Sequence, residues 1–323
     1  MKAVRYEQYG PAAEVLRVED IAKPAPGPGE VQVRMTLSGI NPTDWKSRSG
    51  ATPRPIDGFQ IPHHDGTGII DAVGEGVDQG RIGQRVWTWL AAASRQWGTA
   101  AQWSIVPSRQ AVPLPDGVSD ELGACLGVPA ITAHRCLVAD GPVVGKNVLV
   151  AGGAGAVGHF AIELAKFFGA RVATTVSGPE KAELARQAGA DLVVNYRQPG
   201  AADELRAFAP TMDRIVEVAL GANLALDLAL SGPSTYIVDY AAEPDDPVLP
   251  VRQCMGANVT LRFVLIYGIT AEAADQAVTD ISAALAAGAL TELPVTRFPL
   301  DQIMAAHEAV EAGILGKVLI EIP

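Results

Sequence analysis

The chain has 323 residues, with 36 acidic and 25 basic side chains and a formal net charge of −11 at pH 7. So acidic a surface repels phosphate backbones and anionic lipid headgroups, and we expect neither nucleic acid nor a membrane as a partner. No apolar run approaches the roughly 18 residues of a spanning helix, and the first residues lack a signal-peptide core, which predicts a cytoplasmic protein. Three cysteines without close spacing argue against a disulfide framework. The length favours two domains.

The first 120 or so residues are predicted to form strands. Val31, Val33, Met35 and Leu37 alternate with polar residues, the period-two pattern of a half-buried strand. Further candidate strands, separated by clusters of Gly, Pro and Asp, are 67–73, 85–89 and 102–106. We expect a small β-rich barrel or sandwich.

Beyond about residue 120, short apolar runs alternate with helical patterns. The runs are 147–151, 171–176, 191–194, 213–218, 234–239 and 258–265. Six strands alternating with helices predict an α/β fold with a doubly wound parallel sheet of the Rossmann type. The tail returns to strands at 294–298 and 317–322 around a helix at 300–312. The predicted domains are therefore 1–121, completed by 290–323, and 122–289.

A G-x-G-x-x-G motif follows the first of these six runs directly and precedes a predicted helix. Its residues are Gly153, Ala154, Gly155, Ala156, Val157 and Gly158. Glycines permit a tight turn and let the backbone approach a pyrophosphate, whose charge is stabilised by free N–H groups and the helix dipole. An ordinary glycine-rich turn would share the motif, but its position between strand and helix favours a dinucleotide site.

The choice of nicotinamide cofactor depends on the end of the next strand, where NAD enzymes usually carry an acidic residue for the ribose 2′-hydroxyl. Ser177 stands there instead, which removes the repulsion that a 2′-phosphate would meet. Lys181 can supply a positive charge, and Tyr196, after the third strand, can donate a hydroxyl hydrogen bond. NADPH is therefore the predicted cofactor, although Glu180 beside Lys181 weakens the argument.

Several motifs follow one another in order along essentially the whole chain. They are SGINPTDWK at 38–46, PHHDGTG at 62–68, VGEGV at 73–77, GVPAITA at 127–133, the glycine motif, and GKV at 316–318. This ordered set resembles the medium-chain dehydrogenase/reductase superfamily. Within it, the chain is most similar to the zinc-free NADPH:quinone oxidoreductase, or zeta-crystallin-like, branch.

The resemblance implies a Rossmann cofactor domain inserted into a GroES-like catalytic domain, with the nicotinamide in the cleft between them. It also implies a homodimer joined along the edge strand near 258–265. Residues that the resemblance places at the cofactor are Ser177, Lys181 and Tyr196 at the 2′-phosphate, Asn41 and Thr132 near the nicotinamide, and the backbone of Phe263, Val264 and Leu265 near the carboxamide.

Zinc-dependent members of the superfamily hold their catalytic metal with a Cys, a His and a second Cys. Asn41 and Val128 stand in place of the two cysteines, so that only His64 and Asp65 remain. Catalytic zinc usually needs three protein ligands, and we predict no bound metal. We expect His63 and His64 to point to opposite faces of a strand.

Without a metal to polarise a carbonyl oxygen, the predicted hydride acceptors are quinones and α,β-unsaturated ketones or aldehydes. The protein would mainly align donor and acceptor. Asn41 is the predicted catalytic residue, as a donor to the developing oxyanion or a support for the nicotinamide carboxamide. Asp44 and His64 are candidate proton donors, with helix capping as the other role for Asp44.

Two other functions stay open from the sequence. One is a zinc-dependent alcohol dehydrogenase, and the other is a catalytically silent NADPH-binding sensor. Four aromatic residues are candidates either for a wall against flat substrates or for core packing: Trp45, Trp87, Trp89 and Tyr267.

Overall fold

The computed structural model describes residues 1–243 and 245–323. The strands in these residues are β1 (Lys2–Arg5), β2 (Arg17–Asp20), β3 (Glu30–Ile40), β4 (Asp65–Val73), β5 (Arg85–Thr88), β6 (Trp103–Pro107), β7 (Ala111–Pro113), β8 (Asn147–Ala151), β9 (Arg171–Val176), β10 (Leu192–Asn195), β11 (Met212–Glu217), β12 (Ser231–Asp239), β13 (Thr260–Phe263), β14 (Val295–Pro299) and β15 (Lys317–Glu321).

The α-helices are α1 (Ala12–Val15), α2 (Pro42–Ser49), α3 (Asp120–Val138), α4 (Ala156–Phe167), α5 (Pro179–Gln187), α6 (Ala201–Phe208), α7 (Leu220–Ala229), α8 (Val251–Ala257), α9 (Ala271–Ala286) and α10 (Ile303–Glu311). None of the helices in the described residues is long and apolar enough to cross a membrane.

The chain divides into two compact units. The first comprises residues 1–128 and 292–323, and the second comprises residues 129–291. The first unit gives way to the second after residue 128, inside α3. The boundary predicted from the sequence, between residues 121 and 122, is at the start of this helix. The chain passes back into the first unit two residues after the expected position.

The second unit contains a six-stranded sheet in the order β10-β9-β8-β11-β12-β13. Every neighbouring pair is parallel, so the predicted doubly wound sheet is confirmed. Short β-branched runs form these strands because a parallel sheet is covered on both faces and needs apolar side chains on both. Its central strand β8 is followed directly by α4, which buries residues from Gly158 to Ala165.

The first unit contains a seven-stranded sheet that includes β3, β4, β5, β6, β7, β14 and β15. β3 is the longest strand and pairs antiparallel with β4, β6 and β15. The predicted alternation holds at Arg34 and Thr36, which are exposed between buried apolar residues. Gln32 departs from it and is buried, and its amide donates a hydrogen bond to the carbonyl of Pro24.

The end of the chain joins the sheet of the first unit. β14 and β15 run parallel, and β15 pairs antiparallel with the last residues of β3 through partners such as Val318 and Ile40. This pairing sets Lys317, the first residue of β15, beside the end of β3. Residues 41 and 317 are therefore neighbours in space because the tail completes the sheet.

Candidate active site and cofactor site

Asn41 lies where β3 ends and α2 begins. Its backbone is extended, with φ −119°, and its N–H donates to Oδ2 of Asp44 at 2.7 Å. Asp44 is in the first turn of α2, where a carboxylate satisfies an otherwise unpaired N–H group. Asp44 thus caps a helix, as considered, but not one starting near Trp45: the helix begins at Pro42, its N-cap is Asn41, and Asp44 caps it from the third helical position. Pro42 starts the helix, because proline needs no partner for an N–H there.

The carboxamide of Asn41 is held at both ends. Its Nδ2 donates to Oδ2 of Asp65 at 2.7 Å, and its Oδ1 accepts a hydrogen bond from Nζ of Lys317. An ammonium group only donates and a carboxylate only accepts, so these partners leave one orientation for the amide. Asn41 is 2% exposed, and its side chain is fixed.

Asp65 is the fully buried first residue of β4. Besides the Asn41 amide, it accepts a hydrogen bond from the backbone N–H of Val128 at 2.8 Å, and Nζ of Lys317 lies 3.5 Å from its Oδ2. Burial raises the pKa of Asp65, and the Lys317 ammonium and the two N–H donors oppose that rise. Because all its partners donate, the geometry is that of a carboxylate.

Two glycines allow this cluster to close. A Cβ on Gly127 would lie 2.1 Å from Oδ1 of Asp65, and a Cβ on Gly39 would lie 2.4 Å from the carbonyl oxygen of Ala124. No side chain fits at either position. The glycines of the GVPAITA and SGINP motifs therefore let the backbone segments of this cluster lie close together, and the SGINP motif also supplies Asn41.

The residues of this cluster do not fit a catalytic zinc ion. Val128 supplies its backbone N–H and has no metal-binding atom in its side chain, and the amide oxygen of Asn41 is already bound by an ammonium group. Within residues 1–243 and 245–323, His, Cys, Asp and Glu side chains form no group of three arranged to hold a metal. Thiolate or imidazole ligands would be needed where this chain has an amide and an aliphatic side chain.

A cavity of about 20 Å³ lies next to the cluster, large enough for one water molecule. Arg54 donates to Nε2 of His64 at 3.3 Å, and the same nitrogen is 3.9 Å from Oδ1 of Asp44. Burial lowers the pKa of His64 to about 3, so its imidazole is neutral. Residues lining the cavity include Tyr6, Asp44, Ser47, Arg54, His63 and His64.

The expectation that His63 and His64 point to opposite faces of a strand is wrong. Both precede β4, and His63 has a left-handed backbone with φ 77°, so strand alternation does not apply and both border one cavity. The His63 ring is hydrogen-bonded to Ser38 through Nδ1 at 2.8 Å and to His307 through Nε2 at 3.0 Å. These buried bonds hold the strained residue in place.

In the second unit, the glycine motif forms the turn between β8 and α4. A Cβ on Gly153 would lie 2.1 Å from Oγ1 of Thr174, and one on Gly158 would lie 2.3 Å from the carbonyl oxygen of Gly152. At Gly155 the nearest such atom is 3.5 Å away. Packing within the protein therefore requires Gly153 and Gly158, whereas Gly155 leaves space that a pyrophosphate could approach.

Residues predicted at the 2′-phosphate lie around the ends of two neighbouring strands. β9 and β10 pair Val176 with Asn195, so Ser177 and Tyr196 follow adjacent strand ends. Lys181 is exposed in the first turn of α5, and Tyr196 is 49% exposed. Arg197, which no sequence pattern indicated, has its guanidinium 5.9 Å from the centre of the Tyr196 ring and adds a second cation.

The other predicted cofactor residues lie on α3 and after β13. Thr132 is buried within α3. Phe263 ends β13, and the N–H of Val264 donates to the carbonyl oxygen of Asp239 at 2.8 Å. Phe263 and Leu265 are 64% and 69% exposed. Their backbone role at a carboxamide stays a prediction.

Two of the four candidate aromatic residues are core residues. Trp87 is fully buried and Trp89 is 3% exposed. Three residues of the first unit form contacts near the site that no sequence pattern indicated. Lys317 bonds Asn41, Arg54 bonds His64, and His307 bonds His63. Lys317 had one signal: it is a charged residue at the head of the otherwise apolar run VLI.

Both units resemble known proteins. The model described as "Alcohol dehydrogenase GroES-like domain" matches residues 27–116, and that described as "Zinc-binding dehydrogenase" matches residues 156–283. Quinone oxidoreductase from Homo sapiens is 28% identical over 326 residues, which cover 99% of this chain and 97% of the human protein. A chloroplastic quinone-oxidoreductase homolog from Spinacia oleracea is 30% identical over 68% of this chain and 69% of the homolog.

A solved structure is also similar to this chain over nearly its whole length. A mycobacterial protein complexed with NADPH has a TM-score of 0.85 and 28% identity, with 99% of each chain covered.

Replacing Gly155 with alanine tests the space at the turn. Gly155→Ala should keep the melting temperature of the wild type, because its φ of −77° suits alanine and the nearest protein atom would lie 3.5 Å from the added Cβ, an ordinary contact distance. The same variant should bind NADPH about tenfold or more weakly. Gly158→Ala, the matched control, should lower the melting temperature because its Cβ meets the Gly152 carbonyl. Thermal unfolding and titration of NADPH fluorescence measure the two effects. Unchanged NADPH affinity in Gly155→Ala would contradict the assignment.

A pH series tests the environment of Asp44. Burial raises its pKa from 3.8 to about 7, so the folded protein binds this proton more tightly than the unfolded chain and loses stability as the pH rises toward 7. Asp44→Asn cannot titrate and should gain about 1–2 kcal/mol over the wild type between pH 5.5 and 7.5, with no further gain above pH 8. Urea unfolding measures this, with the exposed Asp301→Asn as a control. A pH-independent difference would refute the shift.

Proposed function

Because the chain belongs to the medium-chain dehydrogenase/reductase superfamily, we propose that this oxidoreductase transfers hydride from NADPH to quinones or α,β-unsaturated carbonyl compounds without a metal. One observation supports it most. The position where zinc enzymes would need ligands carries a buried ammonium, that of Lys317, bonded to Asn41 and close to Asp65. The ammonium is already hydrogen-bonded to the amide oxygen, and its positive charge repels a metal cation. Hydride acceptors that need no Lewis acid, such as quinones and enones, are therefore favoured.

The second unit carries the residues proposed to hold NADPH. The first N–H groups of α4 and the open side of Gly155 would take the pyrophosphate, while Ser177, Lys181 and Tyr196 would take the 2′-phosphate. When bound, NADPH supplies a hydrogen nucleus with its electron pair. NADPH in the similar mycobacterial structure supports the same choice of cofactor.

Asn41 is the proposed catalytic residue. A hydride arriving at the β-carbon of an enone shifts an electron pair to the carbonyl oxygen, so negative charge develops there. The Nδ2 group of Asn41 has two hydrogens. One is donated to Asp65, and the other is the proposed donor to the substrate oxygen. Donated to the substrate oxygen, this hydrogen would stabilise the developing charge, and removal of one such donor typically costs 10²–10³ in turnover.

The decisive experiment follows NADPH and NADH oxidation with 1,4-naphthoquinone and a panel of small enones, with and without EDTA. We expect turnover with NADPH that EDTA does not change, and a loss of about 100-fold in Asn41→Ala. No turnover with any acceptor would refute the proposal, and tight NADPH binding without turnover would identify a silent sensor. Activity that is lost with EDTA and restored by zinc would identify a metal enzyme.

Lys181→Ala should weaken NADPH more than NADH, because only NADPH carries the 2′-phosphate that this ammonium would bind. We expect a loss of about tenfold for NADPH, and less than about twofold for NADH. Arg186→Ala, at an exposed cation later in α5, is the control for a general change of charge. Equal weakening of both cofactors would count against a 2′-phosphate site at Lys181.

We also propose a homodimer through the edge of the second unit's sheet. Within residues 1–243 and 245–323, β13 pairs with β12 alone, and exposed apolar side chains lie around it at Val251, Met255 and Phe263. An open strand edge bordered by apolar surface is a ready template for a second chain. Two copies related by a twofold axis would join through the same surface.

Met255→Asp tests this interface. Met255 is 75% exposed in the single chain, and a charge there would be buried without a partner in the dimer. Light scattering should give twice the chain mass for the wild type and the mass of one chain for the variant. Val144→Asp, at an apolar residue that is 67% exposed elsewhere, should stay dimeric. A monomeric wild type would refute the proposal.

A further inference from the structure

We propose that Lys317 takes part in the reaction through Asn41, by polarising and orienting the amide that donates to the substrate oxygen. This inference rests on the proposed function and adds to it two positioning residues, Lys317 and Asp65. Neither would touch the substrate. Asn41 would be the catalytic residue, and the ammonium behind it would supply the positive charge.

The ammonium is placed on the amide more than on the carboxylate. Nζ of Lys317 makes its direct hydrogen bond to Oδ1 of Asn41, whereas its distance to Oδ2 of Asp65 is 3.5 Å. Asp65 in turn receives its shorter hydrogen bonds from the Asn41 amide and the Val128 N–H. Lys317 and Asp65 also form a buried ion pair, with 3.5 Å between Nζ and Oδ2. The carboxamide bridges the two charged groups, with its oxygen toward the ammonium and its nitrogen toward the carboxylate.

A carboxamide between an ammonium and a carboxylate is polarised. Donation to its oxygen by a charged group draws electrons away from the nitrogen, which makes both Nδ2 hydrogens stronger donors, and such cooperativity is larger in a buried, low-dielectric setting. Asp65 uses one of these hydrogens and fixes the plane of the amide. Lys317 strengthens the second hydrogen as a donor, and Asp65 fixes its direction.

Packing keeps the ammonium in place. Lys317 is 3% exposed. Its side chain packs against Gly39 so closely that a Cβ added to this glycine would lie 3.3 Å from Cε of Lys317. Its backbone is tied into the sheet, where its N–H donates to the carbonyl oxygen of Pro294 at 2.8 Å. A charge held this firmly costs no rearrangement when the oxyanion forms, which is the condition for effective electrostatic stabilisation.

A double-mutant cycle in the full-length protein tests the coupling. Lys317→Met should lower kcat about 100-fold and leave the Kd for NADPH within about twofold, and Lys317→Gln, which keeps an N–H donor without the charge, should fall between it and the wild type. In an Asn41→Ala background, Lys317→Met should change kcat by less than about threefold, because residues that act as one unit are not additive. The primary isotope effect with 4-deuterated NADPH should rise in Lys317→Met as hydride transfer becomes slower. Independent, multiplicative losses would overturn the inference.

A second measurement does not need turnover. In the wild type, the side-chain amide of Asn41, identified by its disappearance in Asn41→Ala, should give two separate proton resonances that exchange slowly with water. In Lys317→Gln these resonances should shift and exchange at least about tenfold faster, because the amide loses its charged partner. An unchanged Asn41 amide would overturn the inference even if the enzyme is active. Absence of activity with altered amide resonances would instead refute the proposed function and leave the coupling intact.

Discussion

The buried ammonium of Lys317 is the group around which the first unit is organised. A charge removed from water is stable only if hydrogen bonds and an opposite charge replace its hydration. Asn41 and Asp65 provide both, from the end of β3 and the start of β4. Removing Asp65 would leave the buried ammonium without an opposite charge, and removing Asn41 would take away its direct hydrogen bond. The cluster therefore ties together the end of β3, the start of β4 and the start of β15.

The proposed cofactor site depends on the space beside Gly155 and on positive charge near the end of β9. Gly153 and Gly158 lack side chains because neighbouring protein atoms leave no space for them, while Gly155 has room on its side. Near the end of β9, Ser177 avoids repulsion, and the exposed Lys181 and Arg197 add positive charge to a protein with a net charge of −11. Two exposed cations against the carboxylate of Glu180 leave a local excess of positive charge, which can select an anionic ligand.

Much of the fold follows from patterns that act over short distances. Alternation at 31–37 predicted β3, and six β-branched runs separated by helical periodicity predicted the parallel sheet, because side-chain direction repeats every two residues in strands and every 3.6 in helices. The same patterns failed at Gln32, which is buried against a carbonyl oxygen, and at His63. A left-handed backbone at His63 interrupts the alternation, and no local pattern announces it.

The amino-acid sequence alone determined the glycine turn, the absence of an acidic residue at position 177, and the loss of two thiolate ligands at 41 and 128. Each of these is a matter of which residue type stands at a position in a known local context. Only the tertiary structure decided that an ammonium contacts Asn41, because Lys317 is 276 residues from Asn41 along the chain and reaches it through the pairing of β15 with β3. Long-range pairing of this kind leaves no local periodic signal, and a charged residue is satisfied by whichever partners the fold places beside it.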